Sequence, residues 1–116
     1  MEHLTLETFK EKIMNFDTNK DWKFEGELPV ILKFSASWCN PCKALIPTLE
    51  KLAIEYNDKI NIYEIDVDEE TELSTMFNIR SVPSMLFIPM TGEPQMSSGV
   101  LPIAKIKETI ENVLMN

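Results

Sequence analysis

A nearly continuous apolar run, PVILKFSA at 29–36, does most to restrict how this chain can fold. A strand that is apolar on both faces has to be covered by helices on both sides of its sheet. The segment 39–56 follows closely and carries apolar residues at helical spacing, which predicts a helix in which Pro47 removes one hydrogen bond. Together the two segments predict a layered α/β domain.

The rest of the chain continues this alternation. Further strands are predicted over 60–66, 84–88 and about 95–100, and further helices over 5–15, about 70–77 and 102–115. Residues 16–28 are polar and irregular, and Trp22 and Phe24 are predicted to anchor this loop. The pattern predicts one domain over 1–116, with a central mixed sheet of four to five strands flanked by about four helices.

Charge and hydropathy exclude several classes of function. Eleven Lys and Arg against nineteen Asp and Glu give a net charge of -8, which disfavours binding to the phosphates of nucleic acids. No apolar run approaches the ~20 residues that span a bilayer, so no membrane partner is expected. The acidic N-terminus lacks the basic and apolar parts of a signal peptide, and a cytoplasmic location is therefore expected.

The chain has two cysteines, Cys39 and Cys42, at the start of the predicted second helix. Side chains at positions i and i+3 of a helix lie ~5–6 Å apart, close enough to form a disulfide after small adjustments. The N-terminal end of a helix stabilises negative charge, so the pKa of Cys39 should be low and its thiolate available as a nucleophile. Cys42, inside the first turn, should be more shielded and able to resolve a mixed disulfide.

Redox chemistry is favoured over the structural interpretations of this pair. A structural disulfide closing so short a loop would contribute only about 2 kcal/mol of stability, and two unrelated buried thiols are the other alternative. A closed zinc site needs four ligands, and the only histidine, His3, falls in the predicted N-terminal fringe. No metal is therefore expected, although a dimer that shares one ion between two cysteine pairs stays open.

The motif WCNPCK at 38–43 resembles the WCGPCK active-site signature of thioredoxins, with Asn40 in place of glycine. The resemblance covers nearly the whole chain. Other features fall in the same order as in that family: the first strand, the proline eight residues after the first cysteine, the segment IRSVPS, two glycines and the closing helix. The resemblance implies the thioredoxin fold, with Cys39 attacking a substrate disulfide and Cys42 releasing the product.

The resemblance also implies roles for residues around the cysteines. Trp38 would flank the site, Pro83 would be a cis-proline facing the cysteine pair, and the backbone of Val82 would pair with an extended substrate. Pro41 stands between the cysteines as in reducing thioredoxins, which favours a reductase. Asn40 departs from the pattern, but its side chain can cap a helix.

A second departure involves two charged residues. The thioredoxin pattern has a buried aspartate six residues before the first cysteine, where this chain has Lys33, and the family's lysine on the neighbouring strand corresponds to Glu64. We predict that Lys33 and Glu64 form a partly buried pair beneath the active site, because an unpaired buried ammonium is costly. The cation would favour the Cys42 thiolate, and Glu64 or neutral Lys33 would take the proton. The alternative is that Lys33 points to solvent from a frayed strand end.

The resemblance implies a monomeric thiol–disulfide oxidoreductase that reduces disulfide-containing proteins and carries no bound cofactor. An NADPH-dependent thioredoxin reductase would reduce its disulfide again, so the protein would take part in electron transport and cell redox homeostasis. One alternative is a substrate-dedicated or oxidising protein on the same fold. Another is a thioredoxin-fold binding module in which redox activity is incidental.

Overall fold

Five strands form one mixed sheet in the computed structural model, which describes residues 1–115. The elements in chain order are β1 (Glu2–His3), α1 (Leu6–Lys12), β2 (Val30–Ser35), α2 (Asn40–Glu55), β3 (Asn61–Asp66), α3 (Thr71–Met76), β4 (Ser84–Ile88), β5 (Gln95–Ser98) and α4 (Ile103–Thr109). A π-helical segment, Ile110–Leu114, extends α4. Within residues 1–115, none of the helices combines the length and the hydropathy of a membrane span.

The strand order is β1-β3-β2-β4-β5. Strands β1 and β2 run parallel to β3, whereas β4 is antiparallel to both β2 and β5. The central strand β2 is buried along its whole length, as its apolar run predicts. The mixed sheet with helices on both faces confirms the predicted α/β architecture.

Alternate residues of β2 pack against two different pairs of helices. Leu32 and Phe34 belong to a core cluster that includes residues of α1 and α3, and we call this side of the sheet the α1/α3 face. Ile31 belongs to a second cluster with residues of α2 and α4, on the α2/α4 face. Because side chains of a strand alternate between faces, Lys33 and Ser35 lie on the α2/α4 face as well.

Two of the helices begin at a residue whose side chain caps the first turn. Thr5 caps α1 through a hydrogen bond from the N–H of Thr8 at 3.2 Å, and Cys39 caps α2. Helical spacing also predicts that Ala53 and Met76 face inward, and both predictions are wrong. Ala53 of α2 is exposed, because the buried side of this helix is narrow and follows positions 45, 49, 52 and 56. Met76 is exposed because it ends α3, a short helix in which only Leu73 is buried.

The N-terminal residues form an edge strand and not the predicted fringe. Glu2 and His3 pair with Tyr63 and Glu64 of β3, and the N–H of Leu4 donates to the carbonyl of Glu64 at 2.8 Å. A strand of two residues is too short to show any periodicity in the sequence. It nevertheless places His3 beside the carboxylate of Glu64.

The loop over 16–28 is anchored as predicted. Trp22 and Phe24 are half-buried and pack against the cluster on the α1/α3 face. The indole ring of Trp22 lies edge-on to Phe77, with ring centroids 6.5 Å apart. The loop therefore extends the core on the side of the sheet away from α2.

Candidate active site

The cysteine pair lies at the junction between β2 and α2. Cys39 and Cys42 are joined by a disulfide, with their Cα atoms 5.3 Å apart. The N–H of Cys42 donates to Sγ of Cys39 at 3.1 Å, so the sulfur itself occupies the capping position of α2. This donor and the helix dipole stabilise a thiolate on Cys39 when the pair is reduced. Asn40, predicted as a possible cap, is instead an exposed first residue of the helix.

The two cysteines differ in what they face more than in how exposed they are. Cys39 is 3% exposed and Cys42 is 2% exposed, so the prediction that Cys42 is clearly the more shielded residue is not confirmed. Both pack with Ala36, and Val82 lies against the same cluster. Cys42 also lines a cleft beneath the active site, described below. In the reduced protein, the Cys42 thiol would therefore face the same cleft as the polar groups beneath the active site.

The segment opposite the cysteines contains the proline that the resemblance identified. The Val82–Pro83 peptide bond is cis, as the resemblance implied, and Pro83 is buried immediately before β4. The carbonyl of Pro83 accepts a hydrogen bond from the N–H of Gly99 at 2.8 Å. Gly99 has a φ of 86°, a conformation that favours glycine. Among residues 1–115, no hydrogen bond involves the backbone of Val82.

Trp38 stands on the protein surface beside the cysteine pair. Its side chain is held by a hydrogen bond from Nε1 to Oδ2 of Asp68 at 2.8 Å, although the residue is 67% exposed. A contact over thirty positions leaves no local signal, so the role of Asp68 could not be predicted from the sequence. Pro41 is likewise exposed, so an apolar surface borders the disulfide.

Lys33 and Glu64 form the predicted pair. They are register partners in the parallel β2–β3 ladder, and Nζ of Lys33 lies 3.6 Å from Oε2 of Glu64. Lys33 is completely buried and Glu64 is 9% exposed, so the alternative of a solvent-facing lysine is wrong. The Oγ of Ser35 donates to Oε1 of Glu64 at 2.8 Å and holds the carboxylate in place.

The environment of Lys33 makes it easy to deprotonate. Burial lowers the pKa of its amine below the usual 10.5, and the attraction of Glu64 offsets only part of this effect. Among residues 1–115, no group forms a hydrogen bond with its Nζ. Even beside a carboxylate, a buried amine without a hydrogen bond is costly unless it has a function or contacts water.

A cleft of about 470 Å³ connects these groups to the active site. Its lining includes Cys42, Lys33, Glu64, Ser35 and the edge-strand residue His3. The cleft is large enough to admit water to Glu64 and Cys42. His3 is the residue at this site that sequence reasoning missed, since only the pairing of β1 with β3 brings it near Glu64. No group of three or more metal-binding side chains is found within residues 1–115.

Three comparisons with known proteins agree: a family model, related sequences and a solved structure. The family model for thioredoxin matches residues 1–112. Thioredoxin of Borreliella burgdorferi is 39% identical over 111 residues, which is 96% of this chain and 92% of that protein. The chloroplastic M-type thioredoxin of Spinacia oleracea is 36% identical over 101 residues, or 87% of this chain and 56% of that protein.

A solved structure confirms the fold. The crystal structure of chloroplastic thioredoxin z matches this chain with a TM-score of 0.79 at 30% identity, over 96% of this chain and 91% of that one. The similarity thus extends far beyond the cysteine motif to the sheet and the helices that position it. This chain belongs to the thioredoxin family and is a thiol–disulfide oxidoreductase that reduces protein disulfides.

Proposed function

We propose that the protein works as a general reductase of protein disulfides in the cytoplasm, with Cys39 as the attacking residue and Cys42 as the resolving residue. The observation that carries this assignment is the position of Cys39 Sγ at the N-terminus of α2, where it accepts the N–H of Cys42 at 3.1 Å. A sulfur in this position is the better thiolate of the two.

The reaction transfers two electrons from the dithiol to the substrate. The Cys39 thiolate attacks one sulfur of the substrate disulfide, and the other substrate sulfur leaves as a thiolate. Cys42 then loses its proton and attacks Sγ of Cys39, which breaks the mixed disulfide. The second substrate thiolate leaves, and the Cys39–Cys42 disulfide found in the structure is the oxidised product.

The substrate would lie along the segment that faces the cysteines. Val82 packs against the cysteine cluster, and within the described chain its backbone N–H and C=O make no hydrogen bond. An extended substrate strand can therefore pair with Val82 before Pro83, while the exposed ring of Trp38 provides apolar contact. Contacts made mainly through the backbone suit a reductase that accepts many sequences.

Lys33 and Glu64 would take up the proton that the Cys42 thiol releases. Both side chains line the same cleft as Cys42, and Glu64 Oε2 is within 3.6 Å of the lysine amine. A positive charge on Lys33 favours the Cys42 thiolate, and the Glu64 carboxylate accepts the released proton, directly or through Lys33. The charges are exchanged relative to the family pattern, but the cleft still holds one cation and one carboxylate.

The electron donor we propose is an NADPH-dependent thioredoxin reductase, acting on the monomeric protein. Membership of the thioredoxin family supports this partner, and the net charge of -8 is consistent with a protein that stays dispersed in solution. The reaction would link the protein to electron transport and redox homeostasis. Oxidation of NADPH in the presence of reductase, this protein and insulin tests the partner directly.

The primary test is reduction of insulin disulfides with dithiothreitol as the donor. Turnover should vanish in Cys39→Ser, and Cys42→Ser should accumulate a mixed disulfide with the substrate. Titration in glutathione buffers should give a potential near the ~-270 mV of reducing thioredoxins. A potential near the ~-120 mV of strong oxidants would indicate an oxidising enzyme. Substrate binding that survives loss of both thiols would indicate a binding module.

A further inference from the structure

The edge strand β1 places an imidazole next to the carboxylate proposed to accept the proton. His3 is the register partner of Glu64, and its Nε2 lies 3.9 Å from Oε2 of that carboxylate. The backbone hydrogen bond from Leu4 to the Glu64 carbonyl fixes this part of the strand on β3. The mechanism described so far does not use this histidine.

The two carboxylate oxygens of Glu64 have different surroundings. Oε1 accepts the hydroxyl of Ser35 at 2.8 Å, whereas Oε2 lies between Lys33 Nζ at 3.6 Å and His3 Nε2 at 3.9 Å. The exposed fraction of the side chain increases from Lys33 at 0% to Glu64 at 11% and His3 at 62%. The three side chains thus lead from the buried part of the cleft to solvent.

We infer that His3 carries the proton released by Cys42 from Glu64 to solvent while the mixed disulfide is resolved. This inference rests on the proposed function, since it concerns the same resolving step. The Cys42 thiol gives its proton to the Lys33–Glu64 pair, and its thiolate attacks Cys39 Sγ. The proton on Glu64 Oε2 passes to Nε2 of His3 once the exposed imidazole closes the 3.9 Å gap to hydrogen-bond distance, and the imidazolium releases it to water. The Lys33–Glu64 pair then returns to its starting state.

The other charged groups around the cleft are less suited to this transfer. The carboxylate of Asp66 accepts the backbone N–H groups of residues 68 and 69, at 2.9 Å and 3.3 Å. Lys43 from α2 lines the cleft, but an ammonium group has no acceptor for a proton. On β1 itself, Glu2 is paired with Lys12 at 2.6 Å. Imidazole is also the side chain that exchanges protons most readily near neutral pH.

The test measures the resolution of the mixed disulfide by Cys42 separately from the attack by Cys39. Reduced protein is mixed with dithiobis(nitrobenzoate), and release of the coloured thiolate is followed by stopped flow. The first thiolate reports attack by Cys39 and the second reports resolution by Cys42. The coloured thiolate leaves without taking up a proton, so the proton of Cys42 has to leave through the protein or directly to solvent.

In His3→Gln we expect an unchanged first phase and a second phase slowed roughly five-fold in dilute buffer, less than the ~10²-fold or more typical of loss of a direct proton acceptor. Added imidazole should restore the second phase of His3→Gln, with a dependence on pH that follows the neutral form of the buffer. Glu2→Gln is the matched control on the same strand, and both of its phases should equal those of the wild type.

Three results would overturn the role of His3. These are an unchanged second phase in His3→Gln, a slowed phase that imidazole does not restore, or an equal loss in Glu2→Gln, which would indicate damage to the edge strand. None of them affects the proposed function, because that depends on a different result. If the wild type showed no second phase, or if Cys42→Ser retained it, the assignment of the resolving cysteine would itself be wrong.

Discussion

The two faces of the sheet treat charged groups differently. On the α1/α3 face, Leu32, Phe34 and Ile65 lie in an apolar cluster, and Ser84, the register partner of Phe34, adds a buried hydroxyl but no charge. The α2/α4 face is equally apolar around Ile31, but towards the ends of β2 and β3 it carries Lys33 and Glu64. These two are the buried charged side chains within residues 1–115.

The location of the charges fits the role proposed for them. A buried ion pair is weak evidence of stability, since the cost of removing both charges from water can exceed their attraction. Lys33 and Glu64 lie along the cleft that reaches Cys42, not in the middle of the core. We therefore interpret the α1/α3 face as contributing to stability alone, and the α2/α4 face as combining an apolar core with a polar end that takes part in the proposed chemistry.

The largest expected effect is on stability and comes from the α1/α3 face. Phe34 is fully buried and its ring centroid lies 5.6 Å from that of Phe77, so Phe34→Ala should lower the free energy of unfolding by about 3–5 kcal/mol. Urea denaturation measures this loss. Insulin reduction per folded molecule should stay close to wild type at low temperature. A stable variant that lost its activity would contradict the division between the faces.

The second prediction concerns the buried charges: both are removed, and the apolar core is left unchanged. The double variant Lys33→Met with Glu64→Gln should alter the free energy of unfolding by no more than about 1 kcal/mol, since replacing both members of a buried pair is often neutral. The second phase of thiolate release should slow by roughly 10²-fold, as expected for loss of a proton acceptor. A large loss of stability with unchanged resolution would show that the pair is structural.

The pH dependence of the free energy of unfolding tests whether the pKa of Lys33 is lowered in the folded protein. Its pKa in the folded protein is below the unfolded value of 10.5, so the unfolded chain binds more protons in the interval between the two values. The free energy of unfolding contributed by Lys33 therefore rises as the pH rises towards 10.5. Comparing urea denaturation of wild type and the double variant over alkaline pH should reveal this slope in the wild type alone. Parallel curves would show that Lys33 titrates normally.

The smallest effect is expected at Tyr56, a buried polar group of the α2/α4 face that does not line the cleft. Its hydroxyl donates to Glu111 Oε1 at 2.8 Å, and burial, with this contact, raises its pKa from 10.0 to about 12. Tyr56→Phe should lower the free energy of unfolding by about 1 kcal/mol at neutral pH and leave activity unchanged.

The contribution of Tyr56 also has a defined pH window. Since its folded pKa is raised, the stabilisation is complete below pH 10.0 and is lost as the pH rises towards about 12. The difference between Tyr56→Phe and the wild type should shrink over this interval. Reduced activity in Tyr56→Phe would show that polar groups outside the cleft also serve the chemistry.

Much of the fold could be predicted because its signals are local. The apolar run of β2, the periodicity of α2 and the position of Cys39 at the start of that helix depend on neighbouring residues, and the structure confirms them. The pairing of Lys33 with Glu64 was also predictable, because both positions could be aligned with a known pattern and a buried ammonium needs a partner.

The layers of the domain, the helix that begins at the cysteines and the charge pair beneath them could all be predicted from the residues. The approach of His3 to Glu64, the hydrogen bond from Trp38 to Asp68 and the equal burial of the two cysteines became known from the fold. The difference lies in the distance along the chain over which each signal acts. Periodicity and capping act within one element, whereas these contacts arise when separate strands and loops are brought together, and two edge residues or one exposed acid carry no local pattern that reveals their partners.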